Sequence, residues 1–277
     1  MAIVRFAAYR IYEDVRTEMN NAIMALAAGA QLAAHLLKLN EGSSLLLPDV
    51  FPRVEHIGRF SLTSQAARDI LEEADRHLGA MAVPYVLAVH EDYMKTCLGM
   101  LERAGKVPSG TAADTRSVGQ HSAMAAASAA GGFSADAAAQ LHTLRKMRNC
   151  VIHSGGRASR SLVNDVTQWQ QSAASGWVNL ARDLRGMSEG DQVTFEHGEV
   201  LLALAVTKTL AREANEILQR TLDRSTWAVM VLDELLQHDQ HALKGQMWLR
   251  KATGHARFHF RVLNLTTNEL QAAHSRR

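Results

Sequence analysis

Cysteine is scarce in this sequence, and its two cysteines, Cys97 and Cys150, lie far apart. They form no C-x-x-C pair, which fits a protein of the reducing cytoplasm. A long apolar run is also missing at the N-terminus, because charged residues such as Arg5 and Arg10 interrupt it early. A secretory signal peptide needs such a run. We therefore expect a cytoplasmic protein that is not exported.

Three common enzyme motifs are missing as well. The sequence contains no Walker A loop, no G-x-G-x-x-G turn and no G-x-S-x-G nucleophile elbow. These absences argue against P-loop nucleotide hydrolysis, Rossmann-type dinucleotide binding and α/β-hydrolase chemistry. Excess charge is missing too, since the formal net charge is only +2. Only local clusters of charge can then indicate a nucleic-acid partner.

A stretch without formal charge runs from Met19 to Leu37. It is rich in alanine and carries polar residues, including Asn20, Gln31 and His35, so it is poorly suited to lipid. We predict a buried helix of a bundle there and no membrane partner.

The hydrophobic periodicity predicts an all-α fold, a helical bundle. The elements predicted for the first half are a helix from about Tyr9 to Leu39 closed by Asn40 and Gly42, a crossover loop from Leu45 to Phe60, a helix from Ser64 to about Ala82, and a helix from Tyr85 to Arg103 with Pro84 in its first turn. Those predicted for the second half are a short helix or mobile segment from Ala112 to Gly132, a helix that starts at Ser134, and helices from Ser161 to Leu184, Glu199 to Leu222 and Trp227 to Leu236.

The most informative stretch is Leu141 to Gly156, LHTLRKMRNCVIHSGG. At about 100° per residue, its apolar residues share one arc of a helix. Arg148 falls inside this arc, so we expect its guanidinium to project toward packed surface. Asn149 and His153 are four residues apart and lie side by side on the neighbouring stripe. Two further residues are predicted to point the same way, namely His142 and Arg145.

Ser154 and the glycine pair that follows it stop this helix, because glycine readily adopts the left-handed conformation of a C-cap. His153 then lies in the last turn, where the negative end of the helix dipole favours an imidazolium. No acid occurs between Asp136 and Asp165, whereas five cations do: Arg145, Lys146, Arg148, Arg157 and Arg160. This pattern predicts a phosphate-binding surface.

A guanidinium, an amide and a titrating imidazole can transfer a phosphodiester without a metal or other cofactor. RNA carries its own nucleophile, the ribose 2′-hydroxyl, and DNA does not. RNA is therefore the expected substrate.

The run Arg148-Asn149, three residues, His153, with Leu144 before it and Gly156 after it, resembles the R-N-x3-H signature of HEPN domains. These are helical ribonuclease modules of toxin-antitoxin and phage-defence systems. The resemblance implies a metal-independent endoribonuclease that acts as a homodimer, with the Arg and His of both protomers facing one composite site. Arg148 and His153 carry over as catalytic residues and Asn149 as a supporting one.

The resemblance also bears on regulation and on a second helix. HEPN toxins silenced by a nucleotidyltransferase antitoxin carry a tyrosine two residues after the histidine, where this sequence has Gly155, so that control is not supported. Another antitoxin or regulatory partner remains open. HEPN domains commonly carry an acidic-aromatic stretch on the neighbouring helix, which makes Glu91 a candidate to orient Arg148. Alternatively, Glu91 is solvated and pairs with Lys95 four residues on.

Two other functions stay open. The first is a non-catalytic HEPN module that binds a nucleotide, RNA or a partner through the same basic flank. The second is a structural scaffold in which Arg148 bridges carboxylates and His153 caps a helix end.

The composition changes after residue 224, so we predict a HEPN-like helical domain over residues 1–224 and a basic appendage over residues 225–277. Within the appendage, Arg257 to Leu265 alternates polar and apolar residues and predicts a short strand. From Gln240 onward the one acid is Glu269, against seven cations: Lys244, Arg250, Lys251, Arg257, Arg261, Arg276 and Arg277. This surface faces RNA, a partner or only water.

Overall fold

The protein is all-α, as predicted. In a computed structural model, which describes residues 3–39, 42, 45–128 and 131–276, no strand forms in those ranges. The helices are α1 Ala7–Lys38, α2 Leu47–Val50, α3 Ser64–Glu72, α4 Ala74–Arg103, α5 Thr111–Asp114, α6 Gln120–Ala126, α7 Ala135–His153, α8 Arg160–Thr167, α9 Gln171–Val178, α10 His197–Thr221, α11 Arg224–His238, α12 Trp248–His259 and α13 Thr267–Ser275.

Two compact units make up the chain, each assembled from separated segments. The first unit comprises Met1–Arg16, Leu87–Ala139 and Ala205–Arg277. The second comprises Thr17–Val86 and Gln140–Leu204. Four long helices, α1, α4, α7 and α10, therefore contribute residues to both units.

The core of the first unit is rich in aromatic side chains. Phe6 lies 5.8 Å from Trp227 between ring centroids, and Trp227 lies 6.1 Å from Phe260. Both Trp227 and Phe260 come from residues 225–277, so that segment shares a hydrophobic core with residues of α1 and α4. Whether residues 225–277 also function as a separate appendage stays a prediction.

Glu234 is a buried acid that ties together three parts of the first unit. Its carboxylate accepts hydrogen bonds from the Ala7 N–H at 2.5 Å, the Arg10 guanidinium at 3.0 Å and His255 Nε2 at 2.9 Å. Burial alone would raise the pKa of Glu234, but these hydrogen bonds outweigh it and lower the pKa. The carboxylate thus stays charged and holds the start of α1 against α11 and α12.

The second unit packs around Trp177, whose side chain is fully buried. Its indole N–H donates to the Arg182 carbonyl at 2.9 Å, and its ring lies 4.9 Å from that of Trp169. Both tryptophans therefore anchor the packing of the second unit. Gly79 of α4 packs directly against the backbone of Phe195, where a Cβ would lie 2.7 Å from the carbonyl carbon.

Several predicted boundaries shift. Pro84 does not begin a helix but lies inside α4, while the break falls at Glu73. An internal proline costs about 3 kcal/mol. Complete burial of an aliphatic side chain contributes about 1.5–3 kcal/mol, and Val83 and Val86 next to Pro84 are almost fully buried. Packing therefore offsets the missing hydrogen bond.

The segments around the predicted loops also differ in detail. Leu45 to Phe60 contains the short helix α2 and a 3₁₀ turn at Ile57–Phe60. Ala112 to Gly132 holds α5 and α6 rather than one helix, and Ser161 to Leu184 splits into α8 and α9. Asn40, predicted to close α1, lies outside the described residues.

The strand predicted from Arg257 to Leu265 is wrong. Helix α12 runs to His259, and a 3₁₀ turn follows at Arg261–Leu263. Ala252, Ala256 and Phe260 are all buried, and their spacing of four is helical. The alternation of polar and apolar residues thus does not determine which residues of this stretch are buried.

Much of the uncharged stretch of α1 is exposed, contrary to the prediction of a buried helix. Leu26 and Leu32 are 59% and 62% exposed, whereas Met19 and Leu37, nearer the two ends of the stretch, are buried. Helix α1 has 32 residues and extends about 48 Å. No residue between Met24 and Leu32 is buried, so the exposed part of the stretch is the middle of the helix. Within the described ranges, no helix is both long and apolar enough to span a bilayer.

Candidate functional site

The helix that carries the signature, α7, begins where the sequence predicts. The Ala137 N–H donates to Ser134 Oγ at 3.4 Å, and the Ser134 N–H donates to Glu213 Oε2 at 3.1 Å. The side chain of Ser134 therefore caps the first turn.

Burial along α7 follows the predicted arc only until the last turn. Leu141, Leu144 and Met147 are buried, whereas Ile152 is 53% exposed although it points the same way. The last turn of α7 thus emerges from the core. This change leaves Arg148 half-buried and brings the end of the signature to the surface.

The stop after the signature is built by two glycines in the left-handed region, Gly155 at φ +59° and Gly156 at φ +76°. The Gly156 N–H donates to the Cys150 carbonyl at 3.0 Å, and the Gly156 carbonyl accepts from the Val193 N–H at 2.7 Å. The chain leaving α7 therefore pairs with residues 190–193. This pairing fixes the end of the helix, as the double-glycine stop predicts.

The three residues of the signature sit on this emerging end. Arg148 Nε donates to Asn149 Oδ1 at 3.3 Å, and both Asn149 and His153 are exposed. Asn149 and His153 share the predicted stripe, because four residues separate them. Arg148 and His153 are five residues apart, which places them about 140° apart around the helix. One copy of α7 thus directs its guanidinium and its imidazole to different sides.

Asp165 organises the polar flank one turn earlier. It accepts hydrogen bonds from Thr143 Oγ1 at 2.5 Å and from Lys146 Nζ at 3.1 Å, and His142 Nε2 lies 3.6 Å from it. The Trp169 indole donates to Thr143 Oγ1 at 3.0 Å. Burial lowers the pKa of His142, although Asp165 acts in the opposite direction. Sequence spacing marks Asp165 only as the end of an acid-free interval and does not indicate this role.

The cations predicted to bind phosphate are in different environments. Arg145 is buried rather than on the exposed flank, because its Cβ points only about 40° from that of Leu141. Lys146 pairs with Asp165, and Arg160 pairs with Glu189 at 3.0 Å. Arg157 is exposed and donates to the Gly190 carbonyl at 3.2 Å. Acids distant in sequence therefore neutralise part of the predicted basic field.

Glu91 lies on α4 in the first unit, whereas Arg148 lies in the second. The Glu91 carbonyl accepts a hydrogen bond from Gln120 Nε2 at 3.1 Å. Its neighbours His90 and Tyr93 are buried, so this stretch is more than a solvated charged face. An orienting contact from Glu91 to Arg148 stays a prediction.

A cavity of about 270 Å³ lies beside the end of α7. The backbone at Gly155 and Gly156 forms one wall, and His77 and Gln192 contribute polar groups. No group of three or more His, Cys, Asp or Glu in the described part of the chain could hold a metal ion.

Comparisons with protein-family models, curated proteins and solved structures find no match to this chain.

Proposed function

We propose that this protein is a metal-independent endoribonuclease of the HEPN type, acting as a toxin or a phage-defence effector. The observation that carries the proposal is the exposed end of α7. There Arg148 and Asn149 touch each other, and His153 occupies the last helical position before a double-glycine stop.

The chemistry needs a cation for the scissile phosphate and two proton transfers. Arg148 holds the phosphate and stabilises the charge that develops on its oxygens. One imidazole takes the proton of the 2′-hydroxyl as its oxygen attacks phosphorus. A second imidazole gives a proton to the 5′-oxygen as the P–O5′ bond breaks. The products are a 2′,3′-cyclic phosphate and a 5′-hydroxyl.

One chain supplies a single signature histidine, and its Arg148 points about 140° away from that histidine. A two-fold dimer that brings two α7 ends together would supply both imidazoles and two guanidiniums. The proposed enzyme is therefore a homodimer with a composite site.

Cleavage of labelled total RNA and tRNA in EDTA tests the proposal. His153→Ala and Arg148→Ala should each reduce cleavage by about a hundredfold or more, the usual range for an acid–base group or a charge-stabilising donor. His197→Ala removes another exposed histidine of the second unit and serves as the matched control. Wild-type and His197→Ala protein should leave cyclic-phosphate ends.

The separation of Arg148 and His153 around α7 also favours a second candidate, a non-catalytic module that binds RNA, a nucleotide or a partner. Tight RNA binding by wild-type protein without cleavage, in the same EDTA assay, would support this candidate instead.

A further inference from the structure

A stripe of arginines runs along the exposed side of α12, far in sequence from the signature. We call Arg250, Gly254, Arg257 and Arg261 the α12 stripe. All four residues are exposed. At about 100° per residue, Arg250 and Arg257 are about 20° apart around α12 and about 10 Å apart along its axis. Arg261 lies in the 3₁₀ turn after the helix and lines the same cavity as Arg257.

Local acids do not cancel this charge. In the described part of the chain, no carboxylate forms an ion pair with any of the three arginines. Glu269 is instead held by Arg224, whose Nη2 lies 2.9 Å from Oε2. The neighbouring Lys251 already faces Asp239 at 3.4 Å. The field of the α12 stripe therefore points to solvent.

An exposed aromatic ring borders the stripe. Phe258 is 74% exposed, and it packs edge-on against His259 at 4.6 Å between ring centroids with an interplanar angle of 90°. One side of the phenyl ring is thus supported while the ring as a whole is presented outward. A bare phenylalanine beside arginines is the arrangement on which nucleic-acid bases stack.

Cavities adjoin the stripe on two sides. Arg257 and Arg261 line one of about 660 Å³, together with the hydrogen-bonding groups of Asn264 and Thr267. Arg250 and Gly254 line another of about 690 Å³. Gly254 leaves a gap in the stripe, since a Cβ there would meet nothing within 4 Å. A phosphate backbone can approach the helix closely at this gap.

We propose that the α12 stripe and Phe258 bind single-stranded RNA, with the arginines on successive phosphates and a base stacked on the phenyl ring. Arginine suits this task because its planar guanidinium binds phosphate oxygens in pairs. The choice of RNA as the polyanion rests on the proposed ribonuclease function. The stripe would then be a substrate-holding surface separate from the cleavage residues.

The test measures binding in full-length His153→Ala protein in EDTA, so that RNA stays intact. The probe is a short, unstructured, fluorescently labelled oligoribonucleotide, titrated at several salt concentrations. Gly254→Glu places an acid in the middle of the stripe, and Gly254→Ala is its matched control because both fill the same open space. Phe258→Ala removes the ring, and Phe258→Tyr keeps it.

Gly254→Glu should weaken binding by about tenfold or more. The slope of the logarithm of the binding constant against the logarithm of the salt concentration should become less steep by about 0.7 for each phosphate that the stripe no longer neutralises. Phe258→Ala should weaken it by roughly tenfold, as removal of one stacked base does. Gly254→Ala and Phe258→Tyr should bind like the parent. Thermal melts check the fold, and Gly254→Ala should melt no lower than the parent, because alanine is the better helix former.

Unchanged affinity and salt dependence in both Gly254→Glu and Phe258→Ala would overturn the proposal. So would phosphatidylserine vesicles that bind the parent but not Gly254→Glu while RNA binding is unaffected, since the partner would then be a lipid surface. The ribonuclease proposal can fail separately. If wild-type protein does not cleave RNA but Gly254→Glu still abolishes RNA binding, the ribonuclease proposal is rejected and the proposed RNA-binding surface is supported.

Discussion

Asp165 decides how the polar residues of α7 are arranged, although it lies on α8. Its carboxylate accepts hydrogen bonds from a hydroxyl and an ammonium group, and a histidine lies nearby. Its side chain is only 18% exposed. An acid so placed is stabilised by its partners, and it leaves them unsatisfied when it is neutralised.

Asp165→Asn should therefore lower the free energy of unfolding by about 1–3 kcal/mol. Glu189→Gln is the matched control, because it breaks an ion pair with Arg160 that is largely exposed, and it should change the free energy by less than about 0.5 kcal/mol. Urea denaturation measures both. Equal effects would show that Asp165 contributes no more than a surface charge.

A second residue-scale prediction concerns pH. Burial first, and then the charges of Arg10 and His255, lower the pKa of His259 from 6.5 to about 4. Its Nδ1 is buried without a hydrogen-bond partner in the described part of the chain. Between pH 6.5 and 4 the unfolded chain binds a proton at this histidine that the folded chain does not, so stability falls as the pH falls.

Above pH 6.5 this contribution to stability is fully present. His259→Gln should make the decline in unfolding free energy from pH 6.5 to 5 less steep, whereas His197→Gln, at an exposed histidine, should not. Chemical denaturation at a series of pH values measures the slope. An identical slope in wild-type and His259→Gln protein would contradict the shift.

At the scale of elements, α4 shows how a distant backbone dictates one residue. Gly79 lies against the Phe195 backbone, where a Cβ would approach the carbonyl carbon to 2.7 Å. Gly29 of α1 has nothing within 4 Å of the same position. The two helical glycines thus differ only in what surrounds them.

Gly79→Ala should destabilise the protein by about 1–3 kcal/mol or more, because the Phe195 backbone must move. Gly29→Ala should instead stabilise it by up to about 1 kcal/mol, since alanine favours the helix. Thermal melts of the two variants measure the direction of both changes in stability. Stabilisation by Gly79→Ala would mean that the close contact is absent in solution.

Local signals determine the elements that the sequence predicts well. Helices α1, α7, α10 and α11 follow 3.6-residue periodicity with end signals such as Ser134 and the glycine pair at 155–156, all of which act within a few residues. The sequence-based predictions are wrong where contacts with residues distant in sequence determine the secondary structure. Packing around Pro84 sustains α4, and burial of Phe260 continues the helical spacing through the stretch predicted as a strand.

The candidate site shows the same division. The exposure of Asn149 and His153 and the stop after them follow from sequence spacing alone. The burial of Arg145 and the neutralisation of Lys146 by Asp165 depend on tertiary contacts. The periodicity of a sequence does not predict such contacts.

At the scale of the whole molecule, the two units are built from segments far apart in sequence, which no local pattern indicates. The proposed enzyme adds a further level, because its site needs two copies of α7. Activity should then depend on assembly as well as on the residues themselves.

Mixing experiments test that dependence. Excess His153→Ala chains are mixed with wild-type chains and allowed to exchange. Cleavage should then be lower than that of the same amount of wild-type protein alone, because mixed dimers hold one imidazole instead of two. Excess His197→Ala chains should not reduce it. Full activity of a demonstrably monomeric wild-type protein would contradict the composite site.

The central claim is that RNA is cut by its own 2′-hydroxyl under the control of Arg148 and His153. The most direct measurement is mass spectrometry of the products from a defined oligoribonucleotide incubated in EDTA with wild-type, Arg148→Ala or His153→Ala protein. The account predicts 2′,3′-cyclic phosphate and 5′-hydroxyl ends from wild type and about a hundredfold less of these products, or none, from both variants. Products with 5′-phosphate ends, or cleavage by folded His153→Ala protein at the wild-type rate, would contradict it.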